Sequence, residues 1–212
     1  MMKHKTISLA DQVFERLESD IISGKYKRGQ ILTELGLTED LGVSRTPIRE
    51  ALQRLEQEQL IKNQSKGILV LGVSEKDLYD IYSIRFRVEG LAAAEAARYR
   101  DADGLKALEE ALSLQEFYLE RHDADHIQHV DAKFHEVVYE MCGSNILMST
   151  LLPLHRKVQK YRKISFQSHT RAELSYKEHK EIYEAIRDGD PERAEQVMTE
   201  HIKNAMARLL KK

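Results

Sequence analysis

Gly42-Val43-Ser44-Arg45-Thr46-Pro47-Ile48-Arg49-Glu50-Ala51-Leu52-Gln53-Arg54-Leu55 carries the reading of the fold. Ile48, Leu52 and Leu55 recur at i, i+4 and i+7, the spacing of one buried helix face. Pro47 falls in the first turn, where a missing N–H is tolerated, and Ser44 stands just ahead with a hydroxyl able to cap the exposed N–H groups. The spacing predicts a helix over 44–58, set off by a turn at Gly42 from a shorter helix over 33–41, which together make a helix-turn-helix. At about 100° per residue, Thr46, Arg49 and Gln53 point well away from the buried face, and Arg45 lies at its edge. A helix presenting Arg, Thr and Gln from its N-terminal half has the donors to read base edges in a major groove and to hold phosphates. The bare pattern also permits Arg45 and Arg49 to pair with Glu50 or Glu39 on a solvated surface.

Outward from this stretch the apolar residues recur at three- and four-residue intervals almost everywhere, with only three prolines and ten glycines as punctuation. Further helices are expected at about 8–23, 75–98, 103–122, 124–141, 145–166, 171–188 and 191–210. Residues 59–72 differ. There Leu60-Ile61-Lys62 and Ile68-Leu69-Val70-Leu71 flank the polar Asn63-Gln64-Ser65-Lys66-Gly67, the pattern of two short strands joined by a turn. Ser74, with Asp77 three residues on, marks the start of a new helix and a domain boundary. The expected fold is mostly α: an N-terminal winged helix-turn-helix over 1–72, then an all-helical bundle over 73–212. No long Gly/Ser or Pro-rich tract separates the two, so they are expected to be coupled.

The 212 residues are 42% hydrophobic and 32% charged, the composition of a folded protein. Nothing approaches eighteen consecutive apolar residues, and no apolar run marks a secretory leader, so the expected location is cytoplasmic, with no membrane partner. Cys142 is the lone cysteine, which excludes an internal disulfide or a cysteine-cluster metal site and reads as packing. The formal net charge of −2 is not that of a phosphate-neutralising protein. Residues 1–72 hold 11 Lys and Arg against 10 Asp and Glu, so any case for nucleic acid rests on where the basic groups sit.

In the second half, Ile81, Ile84, Val88, Leu91 and Glu95 trace one helix face that turns from apolar to charged. Asp131 and His135 are four apart, on one face of a helix at chelating distance. His179 lies ten residues before Gly189, and His201 ten residues after Pro191, across the stop-and-restart signal Asp188-Gly189-Asp190-Pro191. At about 1.5 Å per residue, the two imidazoles come out level on an antiparallel pair of helices and can meet a third helix bearing Asp131 and His135. Among nine histidines chance pairs are common, so spacing alone leaves surface or core roles open. His122, His126 and His129 fall at i, i+4 and i+7 in the polar context of Asp123 and Asp125 and read as a solvated face. The cluster Lys157, Lys160, Tyr161, Arg162, Lys163 is a candidate second anion site or a solvated face.

Two resemblances follow from these residues. The Gly42–Leu55 stretch, with Leu32-Thr33-Glu34 before it and Lys66-Gly67-Ile68 after it, resembles the DNA-binding domain of the GntR family of bacterial transcriptional regulators. The resemblance implies that Arg45 and Arg49 contact DNA, that Ser44 and Thr46 lie near phosphate or bases, and that Gly67 sits at the wing tip. The chain departs from the family at Arg28, where proline is usual, and at Gln59, where glycine is common. Asn63-Gln64-Ser65 stands where wing residues are often basic, which implies fewer phosphate contacts and a shallower salt dependence.

Asp131-x-x-x-His135, Asn145, Glu178-His179, Asp190 and His201-Ile202 resemble the FCD effector domain of FadR-like GntR regulators. That implies a divalent metal (zinc, nickel, manganese or iron) on Asp131, His135, His179 and His201, as in the metal-containing members. It also implies a small carboxylate effector completing the coordination, with Arg85 near the pocket or else paired with Glu89. A homodimer on a palindromic double-stranded DNA operator follows, with repression as the commoner habit. Two other functions are open at this point. One is a helical metalloenzyme, although no histidine follows a glutamate at i+3 as in di-iron bundles. The other is a metal-free acyl-CoA-type sensor, for which four buried polar ligands would be costly.

Overall fold

A computed structural model describes residues 8–166 and 168–210. It is 78% helical and divides into two compact units, residues 1–74 and 75–212.

The first unit packs α1 (Leu9–Ile22), α2 (Glu34–Leu41) and α3 (Arg45–Gln57) against a three-stranded sheet of β1 (Ile31–Leu32), β2 (Ile61–Gln64) and β3 (Gly67–Val70). Local chemistry sets the helix ends. Ser8 and Asp11 form a reciprocal capping box on α1, Thr33 accepts from the Gly36 N–H at the start of α2, and Gly42 closes α2 in the left-handed region at φ 65°. Ser44 breaks the pattern expected of it, for it precedes α3 without a side-chain cap bond. In α1 and α2 the cap bond goes to the third helical residue, and in α3 that residue is Pro47, which has no N–H to give. Ser44 is exposed. Ile48, Leu52 and Leu55 are buried as their spacing predicts, in a core with Phe14, Leu17, Leu37 and Ile68.

The sheet order is β1-β3-β2, antiparallel throughout. The sequence pattern marks β2 and β3 but not β1, because a two-residue strand has no periodicity to read. Gly67 pairs across from Gln64 in the wing at φ 126°, and a Cβ there would meet the Leu32 carbonyl oxygen at 2.7 Å. Only glycine lets β3 approach β1 so closely. Gln59, in the position where glycine is common, also takes a positive φ of 57°.

The second unit contains α4 (Glu75–Tyr99), α5 (Ala102–Glu120), α6 (Ala124–Met141), α7 (Asn145–Phe166), α8 (His169–Asp188) and α9 (Pro191–Leu210). α4 lies along α9, where a Cβ on Gly90 would meet the Glu195 carbonyl oxygen at 3.0 Å. α6 is the most enclosed helix, with Ile127, Val130, Phe134, Val137 and Val138 buried beside Asp131 and His135. The face of α4 differs from the expectation. Ile84 and Leu91 are exposed, whereas the buried side carries Leu78, Ile81, Tyr82, Arg85, Glu89 and Ala93. A paired Arg and Glu occupy core positions there, and apolar periodicity passes over them. Among the described residues no helix is long and apolar enough to cross a membrane.

Candidate nucleic-acid face and candidate metal centre

α3 turns its buried side to the core through Pro47, Ile48, Ala51, Leu52 and Leu55, which leaves Ser44, Arg45, Thr46, Arg49 and Gln53 exposed together. Arg49 pairs with Glu34 (Nε to Oε2, 2.9 Å), not with Glu50 or Glu39, because the helix-turn-helix angle brings the first residue of α2 beside the N-terminal half of α3. The Arg49 side chain remains 62% exposed. A pair this solvated is worth about 0–1 kcal/mol and yields easily to a phosphate or a guanine. At the wing turn Ser65 and Lys66 are exposed, while Gly67 is half-buried and serves the β1–β3 contact.

In the helical unit all six helices converge on one buried polar centre. The ligand atoms of His135 (α6), His179 (α8) and His201 (α9) lie within 4.8 Å of one another, and all three residues are buried. His201 Nε2 stands 3.3 Å from His135 Nε2, and Asp131 Oδ1 stands 3.5 Å from His179 Nε2. Ser175 Oγ donates to Asp131 at 3.5 Å.

The outer nitrogens of two of the rings are hydrogen-bonded from behind. His201 Nδ1 donates to Glu178 Oε2 at 2.8 Å, and His179 Nδ1 donates to Gln115 Oε1 at 2.9 Å. At the third ring Glu89 Oε2 lies 3.1 Å from His135 Nδ1, at ion-pair distance but outside hydrogen-bond geometry. His179 is further fixed by stacking on Phe134, with ring centroids 4.3 Å apart and 9° between planes. An outer acceptor keeps the proton on Nδ1 and aims the Nε2 lone pair inward, the arrangement that orients metal-bound histidines. The Nε2 atoms of His201 and His135, 3.3 Å apart, are close enough to share a proton or a cation. The donor set therefore fits a divalent transition metal.

A second grouping of possible ligands, Glu89, His135 and His155, has a different character. Arg85 lies within it, paired with Glu89 and donating from Nη2 to His155 Nδ1 at 3.1 Å. Both members of the ion pair are fully buried. Burial alone would push the Glu89 carboxyl up, but the Arg85 charge outweighs it and holds the group below the ordinary carboxylate range. The guanidinium already supplies the positive charge of this grouping. An arginine can only donate, so His155 Nδ1 accepts and the ring is neutral.

Sequence reasoning picks out the ligand-type residues and misses the groups behind them. Glu89, Gln115 and His155 are separated from their partners by 46, 64 and 70 positions and sit on other helices, and Glu178 is visible only as the neighbour of His179. His122 meets His169 (Nδ1 to Nδ1, 3.0 Å), and His126 is held by Asp123 at 2.7 Å; both remain exposed. Cys142 is buried, its thiol donating to the Tyr139 carbonyl oxygen at 3.0 Å. The side chains at 160–163 lie outside the described residues.

Comparison with known proteins decides the class. The model of the bacterial regulatory proteins, gntR family, matches residues 9–70, and the FCD domain model matches residues 80–204. The chain belongs to the GntR family and carries an FCD domain. It is similar to the uncharacterized HTH-type transcriptional regulator YdhC of Bacillus subtilis (strain 168), at 30% identity over 90% of this chain and 86% of that protein. It is also similar to the HTH-type transcriptional repressor RspR of Escherichia coli (strain K12), at 27% identity over 90% and 84%. The solved structure of McbR/YncC from E. coli superposes with a TM-score of 0.79 at 26% identity, covering 96% of this chain and 98% of that one. The protein is thus a DNA-binding transcriptional regulator and not an enzyme, which removes the metalloenzyme alternative.

Proposed function

We propose that the regulator is a metal-dependent, ligand-responsive repressor. In this reading Asp131, His135, His179 and His201 hold a divalent transition metal, and a small organic acid binds beside it. The observation that carries the reading is the pair of Nε2 atoms of His135 and His201 at 3.3 Å, each backed on its Nδ1 side by a carboxylate. A bound metal supplies Lewis acidity toward a carboxylate oxygen. Gln115 and Glu178 orient two of the rings by hydrogen bonds, Glu89 places its charge beside the third, and Ser175 hydrogen-bonds Asp131. Arg85 contributes a donor to the acid through Nη1, which has no hydrogen-bond partner among the described residues.

The second half of the proposal concerns DNA. Arg45 and Arg49 read a major groove, Ser44 and Thr46 hold adjacent phosphates, and the wing approaches through Lys66 and Gly67. As a homodimer in the cytoplasm, the protein would match a palindromic operator with two recognition helices. The acid regulates only by binding the DNA-competent and DNA-incompetent states with different affinity. RspR, which is named a repressor, supports the direction of control.

The test begins with a duplex selected from a random pool by the protein itself. Its affinity is then measured by fluorescence anisotropy on metal-loaded protein, on chelator-treated protein, and after zinc is restored. Affinity that changes at least about fivefold on metal removal and returns with zinc is the expected result, the lower end of ordinary allosteric coupling. Identical curves in all three states would separate the metal from regulation and overturn the reading.

A further inference from the structure

Arg171, in the first turns of α8, is buried, with 9% of its surface exposed, and it has no ion pair among the described residues. Its Nε and Nη1 have no hydrogen-bond partner there either. Arg171, Ser175 and His179 stand at i, i+4 and i+8, one stripe of the helix, and all three belong to the buried side of α8. The two later members of the stripe both address Asp131, Ser175 at 3.5 Å and His179 at 3.5 Å. Eight residues at about 1.5 Å each set Arg171 about 12 Å along the helix from His179.

Among the described residues, Arg85 and Glu178 of the centre have partners of opposite charge. Arg85 is paired with Glu89, and Glu178, behind His201, is paired with Arg208 at 3.0 Å. His155 is neutral because it accepts from Arg85. With a divalent metal in place, Asp131 leaves the centre one positive charge in excess, and Arg171 adds a second at the far end of the same stripe. A buried guanidinium without a counter-charge is strongly unfavourable, and arginine is suited to a bidentate carboxylate.

We infer that Arg171 is the second anchor of the effector site and that the effector is a dicarboxylate. One acid group is taken at the His135/His179/His201/Asp131 centre and the other by Arg171, with several carbons between them. This rests on the metal reading above and adds to it a ligand class and a residue that the site did not include. Arg85, already neutralised by Glu89, supplies a hydrogen bond and no net charge.

The experiment uses the full chain loaded with zinc and compares succinate, glutarate, adipate and pimelate with the monoacids butyrate and hexanoate by calorimetry. At least one diacid should bind about tenfold or more tightly than the monoacid of equal length, as expected for one added charge-assisted pair. Arg171→Met should erase that preference, and Arg171→Lys should keep part of it. In the ligand-free protein, Arg171→Met should raise Tm by about 2–5 °C, because an apolar side chain replaces a buried charge that has no ion pair among the described residues. A lower Tm for Arg171→Met would make Arg171 a structural residue and overturn the inference. So would monoacids binding as well as diacids, or no carboxylate binding to zinc-loaded protein. If the wild type takes up no metal, the metal reading fails and the dicarboxylate assignment fails with it, whereas the Tm shift of Arg171→Met separately reports whether that charge awaits an anion.

Discussion

Replacing Arg45 and Arg49 together by alanine should lower affinity for a selected duplex by about thirtyfold to more than ten-thousandfold, the equivalent of about 2–6 kcal/mol for two base- or phosphate-directed arginines. The expectation rests on their shared exposure on one side of α3, opposite Ile48, Leu52 and Leu55. Folding should barely change. Arg45 is exposed, and Arg49 gives up only the solvated pair with Glu34, so stability should move by about 0.5 kcal/mol or less. The salt dependence separates the roles. An arginine that neutralises a phosphate takes about 0.9 off the slope of log affinity against log salt when it is removed, whereas one that reads a base leaves a relaxed sequence preference behind. Anisotropy titrations at several salt concentrations, alongside thermal unfolding, check both. Unaltered DNA affinity in the double variant would remove α3 from the interface.

His135→Ala combined with His179→Ala should abolish the dependence of stability on metal. A ligand that binds only the folded state, at about a thousand times its Kd, adds about 4 kcal/mol. For a chain of this size that corresponds to about 8–16 °C in Tm. Chelation should therefore lower the wild-type Tm by that amount and leave the double variant unmoved. Both substitutions also open cavities in a packed core, so the comparison that matters is the metal response within each protein, not their absolute Tm values. The DNA face belongs to the other compact unit, and α3 of the variant should fold as before.

The helix-turn-helix is legible in the sequence because α3 obeys a single rule over its whole length. Its apolar residues fall at helical spacing, and the glycine at 42 ends the preceding helix. The level histidines are legible for a similar reason, since two helices joined by a tight turn convert distance from the turn into height. The illegible parts are those in which a polar group occupies a core position. On α4, Arg85 and Glu89 neutralise one another inside the bundle, so the helix buries charge while Ile84 and Leu91 stay exposed, and hydrophobicity points to the wrong side. Gln115, Glu178 and His155 support the centre from positions that only tertiary packing brings to their partners. Ser44 shows the same limit at short range. Its identity fits an N-cap, but the proline three residues on takes away the donor the cap would serve. Arg171 is the extreme case, a buried charge whose counterpart is not found among the described residues of the chain.

The most direct test of the metal centre is the metal content of untagged protein purified without chelator, measured by elemental analysis for the wild type and the His135→Ala/His179→Ala variant. The expected result is close to one zinc, nickel, manganese or iron per wild-type chain and almost none in the variant. Wild-type protein without metal that also fails to take it up on dialysis against each ion, or a variant that keeps its metal, would contradict the assignment.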